Sequence, residues 1–126
     1  MISVIDDDGP FREGMDSLLR ARGYTVRTFA SAAEFLRSPH LDETSCVITD
    51  VKMPDISGLE LQTLLRNDGR TVPIIFITAF PEESVRERAL RDGAVRFLVK
   101  PSDASILIRC VEEALAQRNA PHRNPP

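Results

Sequence analysis

Four short apolar runs in this chain each stop at a group that can do chemistry. Ile2 to Ile5 gives way to Asp6-Asp7-Asp8, Cys46 to Thr49 to Asp50, Ile74 to Ile77 to Thr78, and Phe97 to Val99 to Lys100. Runs rich in Val, Ile and Phe are strand-like, so each polar group is expected at the carboxyl end of a strand. If the acids after the first and third runs converge, each like-charged pair about 4 Å apart costs ~1–4 kcal/mol, and the cluster calls for a cation. With no histidine or thiolate beside them, carboxylate oxygens suit a hard divalent ion such as Mg²⁺, which accepts a few carboxylates plus water. Lys100 adds a second positive charge. An ionised Asp50 next to both cations is a nucleophile toward phosphorus, and its product is an aspartyl phosphate. The Thr78 hydroxyl and the Ala79 backbone N–H could serve two of the phosphoryl oxygens.

The elements that must hold these groups follow from periodicity and punctuation. Pro10 suits a first helical turn, and Phe11, Met15, Leu18 and Leu19 give helix one an apolar stripe that ends at Gly23. Tyr24 to Phe29 alternates like a half-exposed strand. Ser31-Ala32-Ala33-Glu34 has capping-box spacing and opens a short helix through Leu36, after which Ser38 to Thr44 is loop. Beyond Asp50, Pro54 and Gly58 mark a turn, Ser57 to Glu60 is a second capping box, and Leu59, Leu61, Leu64 and Leu65 form helix three. Pro81-Glu82-Glu83 starts a fourth helix that stops at Gly93. A last helix is expected from about Asp103 to Gln117, with Ala104, Leu107, Val111, Ala114 and Leu115 inward and Ile106 and Cys110 pointing elsewhere.

Five strand–helix repeats predict an α/β fold with a parallel sheet covered on both faces. In such sheets ligands gather at the carboxyl ends of the strands, where strand order reverses. Only the second strand ends blandly, at Phe29 and Ala30, which places it at an edge and fits the order 2-1-3-4-5, a pattern known for flavodoxin-like (βα)5 three-layer sandwiches.

At 126 residues and 42% hydrophobic content, the chain predicts one domain over 1–117, followed by a polar, proline-bearing tail or linker over 118–126. A formal net charge of -3 argues against sequence-independent nucleic-acid binding by this domain. No apolar run reaches membrane-spanning length and the first residues enter a strand directly, so a cytoplasmic location is expected. Cys46 and Cys110 lack metal-type spacing and read as reduced packing thiols.

Ile5-Asp6-Asp7-Asp8, Asp50 with Met53-Pro54 and Gly58, Thr78-Ala79 and Lys100-Pro101 stand in order, and over residues 2–117 the chain resembles the receiver domain of two-component response regulators. Thr49 to Leu61 and Gly93 to Pro101 are most similar to the FixJ-type branch. The resemblance implies that Asp50 is the phosphoacceptor, Asp7 a direct metal ligand, Asp6 a ligand through water, and the Lys52 carbonyl a backbone ligand. It likewise implies that Thr78 is the switch hydroxyl, Lys100 the lysine that pairs with phosphate, and Phe97 an aromatic that swings inward when the threonine moves. Without the resemblance Phe97 reads as core. A Lys100-Pro101 cis bond is common in the family. The implied partners are a sensor histidine kinase and a second copy, met through helix four, strand five and helix five. FixJ-type proteins usually append a helix-turn-helix domain, so DNA contact is expected only through a C-terminal output domain. The expected activity is that of a switch rather than an enzyme; the alternative is a small Mg²⁺-dependent phosphohydrolase with an aspartyl nucleophile. Asp8 and Asp55 read as solvated acids near the site, with Asp8 aiding helix entry, and His40 and His122 as loop and tail residues.

Overall fold

The computed structural model describes residues 1–119. Its elements alternate: β1 (Ile2–Ile5), α1 (Gly9–Ala21), β2 (Val26–Phe29), α2 (Ala32–Leu36), a 3-10 turn at Leu41–Glu43, β3 (Cys46–Thr49), α3 (Gly58–Asn67), β4 (Ile74–Thr78), α4 (Glu83–Arg91), β5 (Arg96–Val99) and α5 (Ala104–Asn119). All strand pairs are parallel and the sheet order is β2-β1-β3-β4-β5, as the strand-end pattern predicts. β1, β3 and β4 are buried along their whole length, which is why their sequences are near-continuous apolar runs.

Each face of the sheet carries its own core. Ile2, Val4, Ile48, Ile75 and Ile77 meet Met15 and Leu19 of α1 and Leu107, Ile108, Cys110, Val111 and Ala114 of α5. On the other face Ile5, Val47, Ile74 and Phe76 meet Phe35 of α2, Leu61 and Leu65 of α3 and Ala89 of α4. Among the described residues no helix is long and apolar enough to cross a membrane.

The termini behave largely as their punctuation predicts. Asp8 caps α1, its side chain accepting from the Phe11 N–H, and Gly23 follows the helix at φ 88. Ser57 and Glu60 form a complete capping box. The Ser31 box is only half formed: its hydroxyl accepts from Glu34, but the Glu34 carboxylate reaches past Ser31 to the Ala30 N–H at 2.6 Å. Asp55 sits at φ 68, a region that short polar side chains tolerate, so it has a turn to make besides being solvated.

Two face assignments on α5 are corrected, and α3 buries a different residue from the one its leucines suggest. Leu64 is 44% exposed, and the buried position on that side of α3 is Gln62, whose Nε2 donates to the Ala89 carbonyl of α4 at 3.0 Å. On α5, Cys110 is buried at 4% exposure and Ile108 joins it, whereas Ala104 is exposed. The inward stripe of α5 is therefore broader than the a/d-like spacing suggests, because a helix lying flat on a sheet buries an arc of its surface. α5 also continues to Asn119, two residues beyond its expected end; the rest of the expected tail, with His122, lies outside the described residues.

Gly58 fixes how closely α3 approaches the acid-bearing turn. A Cβ there would overlap the Asp50 carbonyl oxygen and lie 2.9 Å from the Phe76 ring, and the Gly58 N–H donates to the Val51 carbonyl at 2.8 Å. Gly58→Ala should therefore cost about 1–3 kcal/mol, the range for overpacking a tight contact, read as a lower denaturant midpoint. An unchanged midpoint would mean that the turn can move aside.

Candidate functional site

The ends of β1, β3 and β5 bring together Asp6 and Asp7 with Asp50, 44 and 43 residues away in sequence, and Lys100, a further 50 residues on. Asp6, Asp7 and Asp50 each present a carboxylate oxygen within 4.8 Å of the others. The Lys100 ammonium lies 2.7 Å from Asp6 Oδ2 and 3.1 Å from Asp50 Oδ2, with its side chain 14% exposed. Backbone pairing sets this position, since the Lys100 N–H donates to the Thr78 carbonyl at 2.8 Å across the β4–β5 ladder.

The two inner carboxylates are held on both oxygens. Asp6 Oδ1 accepts from the Asp8 N–H at 2.9 Å and leaves Oδ2 to Lys100. Asp50 Oδ1 accepts from the Val51 and Lys52 N–H groups at 2.6 and 3.3 Å, which holds the first peptide of the following turn against the acid. Asp50 stands at the carboxyl end of β3, as its place after the apolar run predicts, and it is 8% exposed because Lys100 and its own turn enclose it. Burial raises the Asp6 carboxyl above its ordinary pKa, with the Asp50 charge adding to that and the bonds from Lys100 and Asp8 opposing it. For Lys100 burial works against the charge, but the bonds and charges of Asp6 and Asp50 outweigh it and the ammonium is stabilised. With one cation facing three carboxylates, the donor set fits a divalent ion held through oxygen.

Two neighbours of the site belong to the first turn of α1. The Phe11 ring lies beneath the Lys100 ammonium, 4.1 Å from Nζ to centroid, and Arg12 Nη1 donates to the Asp6 carbonyl at 2.6 Å. The sequence marks Phe11 only as part of an apolar stripe and Arg12 not at all; their closeness to the acids in sequence was the available signal. Lys52 points outward, its ammonium 3.4 Å from Glu82 Oε1 and 5.5 Å from the Phe80 ring centroid, so the loops after β3 and β4 touch at the edge of the site.

Thr78 and Phe97 lie beside the cluster without joining it. Thr78 is fully buried and its Oγ1 accepts from the Phe80 N–H at 3.2 Å. Phe97 is half-buried on the opposite side of β5 from the acids' lysine, its ring 6.2 Å from that of Phe76. Asp8 stands apart as the α1 cap, and His40 pairs with Glu43 on the surface. The Lys100-Pro101 bond is cis. Both cysteines are buried and unpaired; burial pushes the Cys46 thiol up to about 12 and raises Cys110 as well, as expected of packing thiols.

Comparison with known proteins agrees with this fold. The model of the response regulator receiver domain matches residues 2–112. Response regulator protein TodT of Pseudomonas putida strain F1 is 36% identical over 115 residues, which is 91% of this chain and 51% of that protein. Transcriptional regulatory protein FixJ of Azorhizobium caulinodans is 37% identical over 116 residues, 92% of this chain and 55% of that protein. This chain thus spans about half the length of these curated relatives. Among solved structures, response regulator StyR aligns with TM-score 0.86 at 38% identity, covering 93% of this chain and 59% of that one. The FixJ-N structure aligns with TM-score 0.81 at 28% identity, covering 98% of this chain and 96% of that one. Family model, relatives and strand order agree, and the chain belongs to the receiver domains of two-component response regulators.

Proposed function

We propose that this receiver domain is a phosphorylation-operated switch in which Asp50 accepts a phosphoryl group from a phosphohistidine of a partner sensor kinase. The observation that carries the reading is the enclosed Asp50 carboxylate, held by two backbone N–H groups and facing Lys100 beside two further acids. An Asp50 oxygen attacks phosphorus, the phosphorus–nitrogen bond breaks, and the electron pair returns to the imidazole, which takes up a proton. Lys100 pairs with a phosphoryl oxygen and stabilises the charge that the transfer delivers. Asp7 and Asp50 directly, Asp6 through water, and the Lys52 carbonyl would hold a Mg²⁺ ion. When bound, that ion supplies further positive charge to the phosphoryl oxygens.

Stoichiometry tests the reading. Acetyl phosphate with Mg²⁺ should label the chain once, and a generic phosphate ester should not be turned over. Repeated turnover of the ester would favour the phosphohydrolase instead.

Lys100→Ala should leave Mg²⁺ binding largely intact and slow labelling without preventing it, while uncoupling phosphate from conformation, because its ammonium serves the phosphoryl group rather than the metal. Thr78 and Phe97 are the proposed movers: a phosphoryl oxygen accepts from the Thr78 hydroxyl, the side chain turns toward it and gives up the bond it now accepts from the Phe80 N–H, and Phe97 follows into the space released. Phosphate-induced chemical shifts at Thr78 and Phe97 check this. Normal shifts in the phosphorylated Lys100→Ala protein would remove the lysine from the switch.

The output we infer is self-association across α4, β5 and α5. The apolar contribution comes from Val99 and Ile106, each 47% exposed, beside the Arg96–Glu113 pair that links β5 to α5 at 2.9 Å. Cys110 and Val85 contribute nothing to this face, since both pack against the core. A coupling of ~1–3 kcal/mol between phosphate and dimer would raise the association constant roughly 5–150-fold. Sedimentation of the beryllofluoride-treated protein should show that rise, and Ile106→Glu should abolish it. A monomer at every concentration would sink the dimer.

A further inference from the structure

We propose that Phe11 is a positioning residue for Lys100, its ring acting as the third partner of the ammonium group and keeping that charge over the acid cluster. The inference rests on the phosphoacceptor reading of the site. An ammonium has three N–H donors. Two of Lys100's contacts are carboxylates, Asp6 at 2.7 Å and Asp50 at 3.1 Å, and the third is the Phe11 ring, 4.1 Å away, which is within cation–π range. With only 14% of the side chain exposed, water has little access, so the ring takes the place that solvent would otherwise fill.

The ring is held where it is by the acid turn itself. Asp8 Oδ1 accepts from the Phe11 N–H at 3.3 Å, and Arg12, the next residue, donates to the Asp6 carbonyl at 2.6 Å. The first turn of α1 is thereby tied on both sides of Phe11 to the segment that carries the acids. The third aspartate of the run acquires a role in this arrangement: it seats the residue beneath the lysine.

The three contacts differ in what can displace them. A cation held by Asp50 directly and by Asp6 through water, or a phosphoryl group on Asp50, competes with Lys100 for its two carboxylate partners. A neutral ring competes for neither, so Phe11 retains the ammonium while its charged partners are engaged. The plainer account is that Phe11 only lines the groove between α1 and α5 together with Met15, Leu18 and Leu107. In that case its replacement would act independently of Lys100.

A double-mutant cycle separates the two accounts. Phosphorylation by acetyl phosphate at saturating Mg²⁺ is timed for wild type, Phe11→Leu, Lys100→Ala and the double variant. Phe11→Leu should slow labelling about 2- to 30-fold, the range of a cation–π contact, and Phe11→Trp should restore it. In the Lys100→Ala background the same change should alter the rate less than about twofold. Phe11→Met, which fills the groove without a ring, replaces Phe11→Leu if the latter does not fold. A second readout needs no phosphate: the Lys100 ε-methylene protons should resonate upfield through the ring current and stay upfield when Mg²⁺ is added. Equal slowing in both lysine backgrounds, or loss of the upfield shift on adding Mg²⁺, overturns the proposal. An unlabelled wild type would strike the phosphoacceptor reading instead, leaving the methylene shift to decide on Phe11.

Discussion

Asp50→Asn should lose phosphorylation by at least about a thousandfold, to below detection, because an amide has no lone pair of comparable nucleophilicity while almost every contact around it can persist. The Val51 and Lys52 N–H groups would still find the side-chain oxygen, so the turn that follows β3 should keep its shape. What changes is charge: Lys100 keeps one carboxylate partner, Asp6, and the cluster falls from three acids to two. Intact mass after incubation with acetyl phosphate and Mg²⁺ measures the loss, and equal labelling of the two proteins would falsify the assignment of Asp50. Loss of labelling with an unfolded spectrum would point to the turn instead, so circular dichroism accompanies the measurement.

The second large effect concerns the run of three aspartates. Asp7→Ala should weaken Mg²⁺ binding at least about tenfold, since even supporting groups around a metal are worth 10- to 100-fold and Asp7 contributes a donor oxygen of its own. Asp8→Ala should barely change metal affinity and should instead lower stability by about 1 kcal/mol, the value of a helix cap. Titration calorimetry and urea unfolding together separate a ligand from a cap. If Asp8→Ala were the more damaging to Mg²⁺ binding, the three acids would be registered one position out.

The contrast between Asp7 and Asp8 shows where sequence reasoning works in this chain. Strand ends are legible because a buried parallel strand needs a continuous apolar run, so the acids that follow Ile5 and Thr49 are forced to the sheet's carboxyl edge, while Lys100 is placed there by the short apolar run of a more exposed strand, β5. Once strand order follows from the bland end of β2, the meeting of Asp6, Asp50 and Lys100 follows too. Contacts made by side chains over a turn are not legible in that way. The seat of Lys100 on Phe11, the grip of Arg12 on the Asp6 carbonyl and the Lys52–Glu82 contact all depend on loop paths that periodicity does not encode.

Helix faces fail for a related reason. Leucine content points to Leu64 as inward, yet Gln62 takes the buried place because α4 offers it the Ala89 carbonyl, a partner 27 residues away in sequence. A polar residue is admitted to a core when its hydrogen bond is supplied there, and that supply is a tertiary fact. Gln62 also leaves its Oε1 without a protein partner, and turning the amide over would set that oxygen against the Ala89 carbonyl. On α5 the error is one of width: Ile108 and Cys110 extend the inward arc that Leu107, Val111 and Ala114 begin, and Ile106 alone of the expected outward pair stays in solvent.

The site's central claim is that a single carboxylate, Asp50, takes the phosphoryl group. Borohydride reduction tests it most directly, because an acyl phosphate is reduced to an alcohol and converts the phosphorylated aspartate to homoserine at its position in the chain. After labelling with acetyl phosphate and Mg²⁺, peptide mass mapping should find homoserine at position 50, and none at Asp6, Asp7, Asp8 or Asp55. Homoserine at one of those positions, or a labelled chain with none at all, would contradict it.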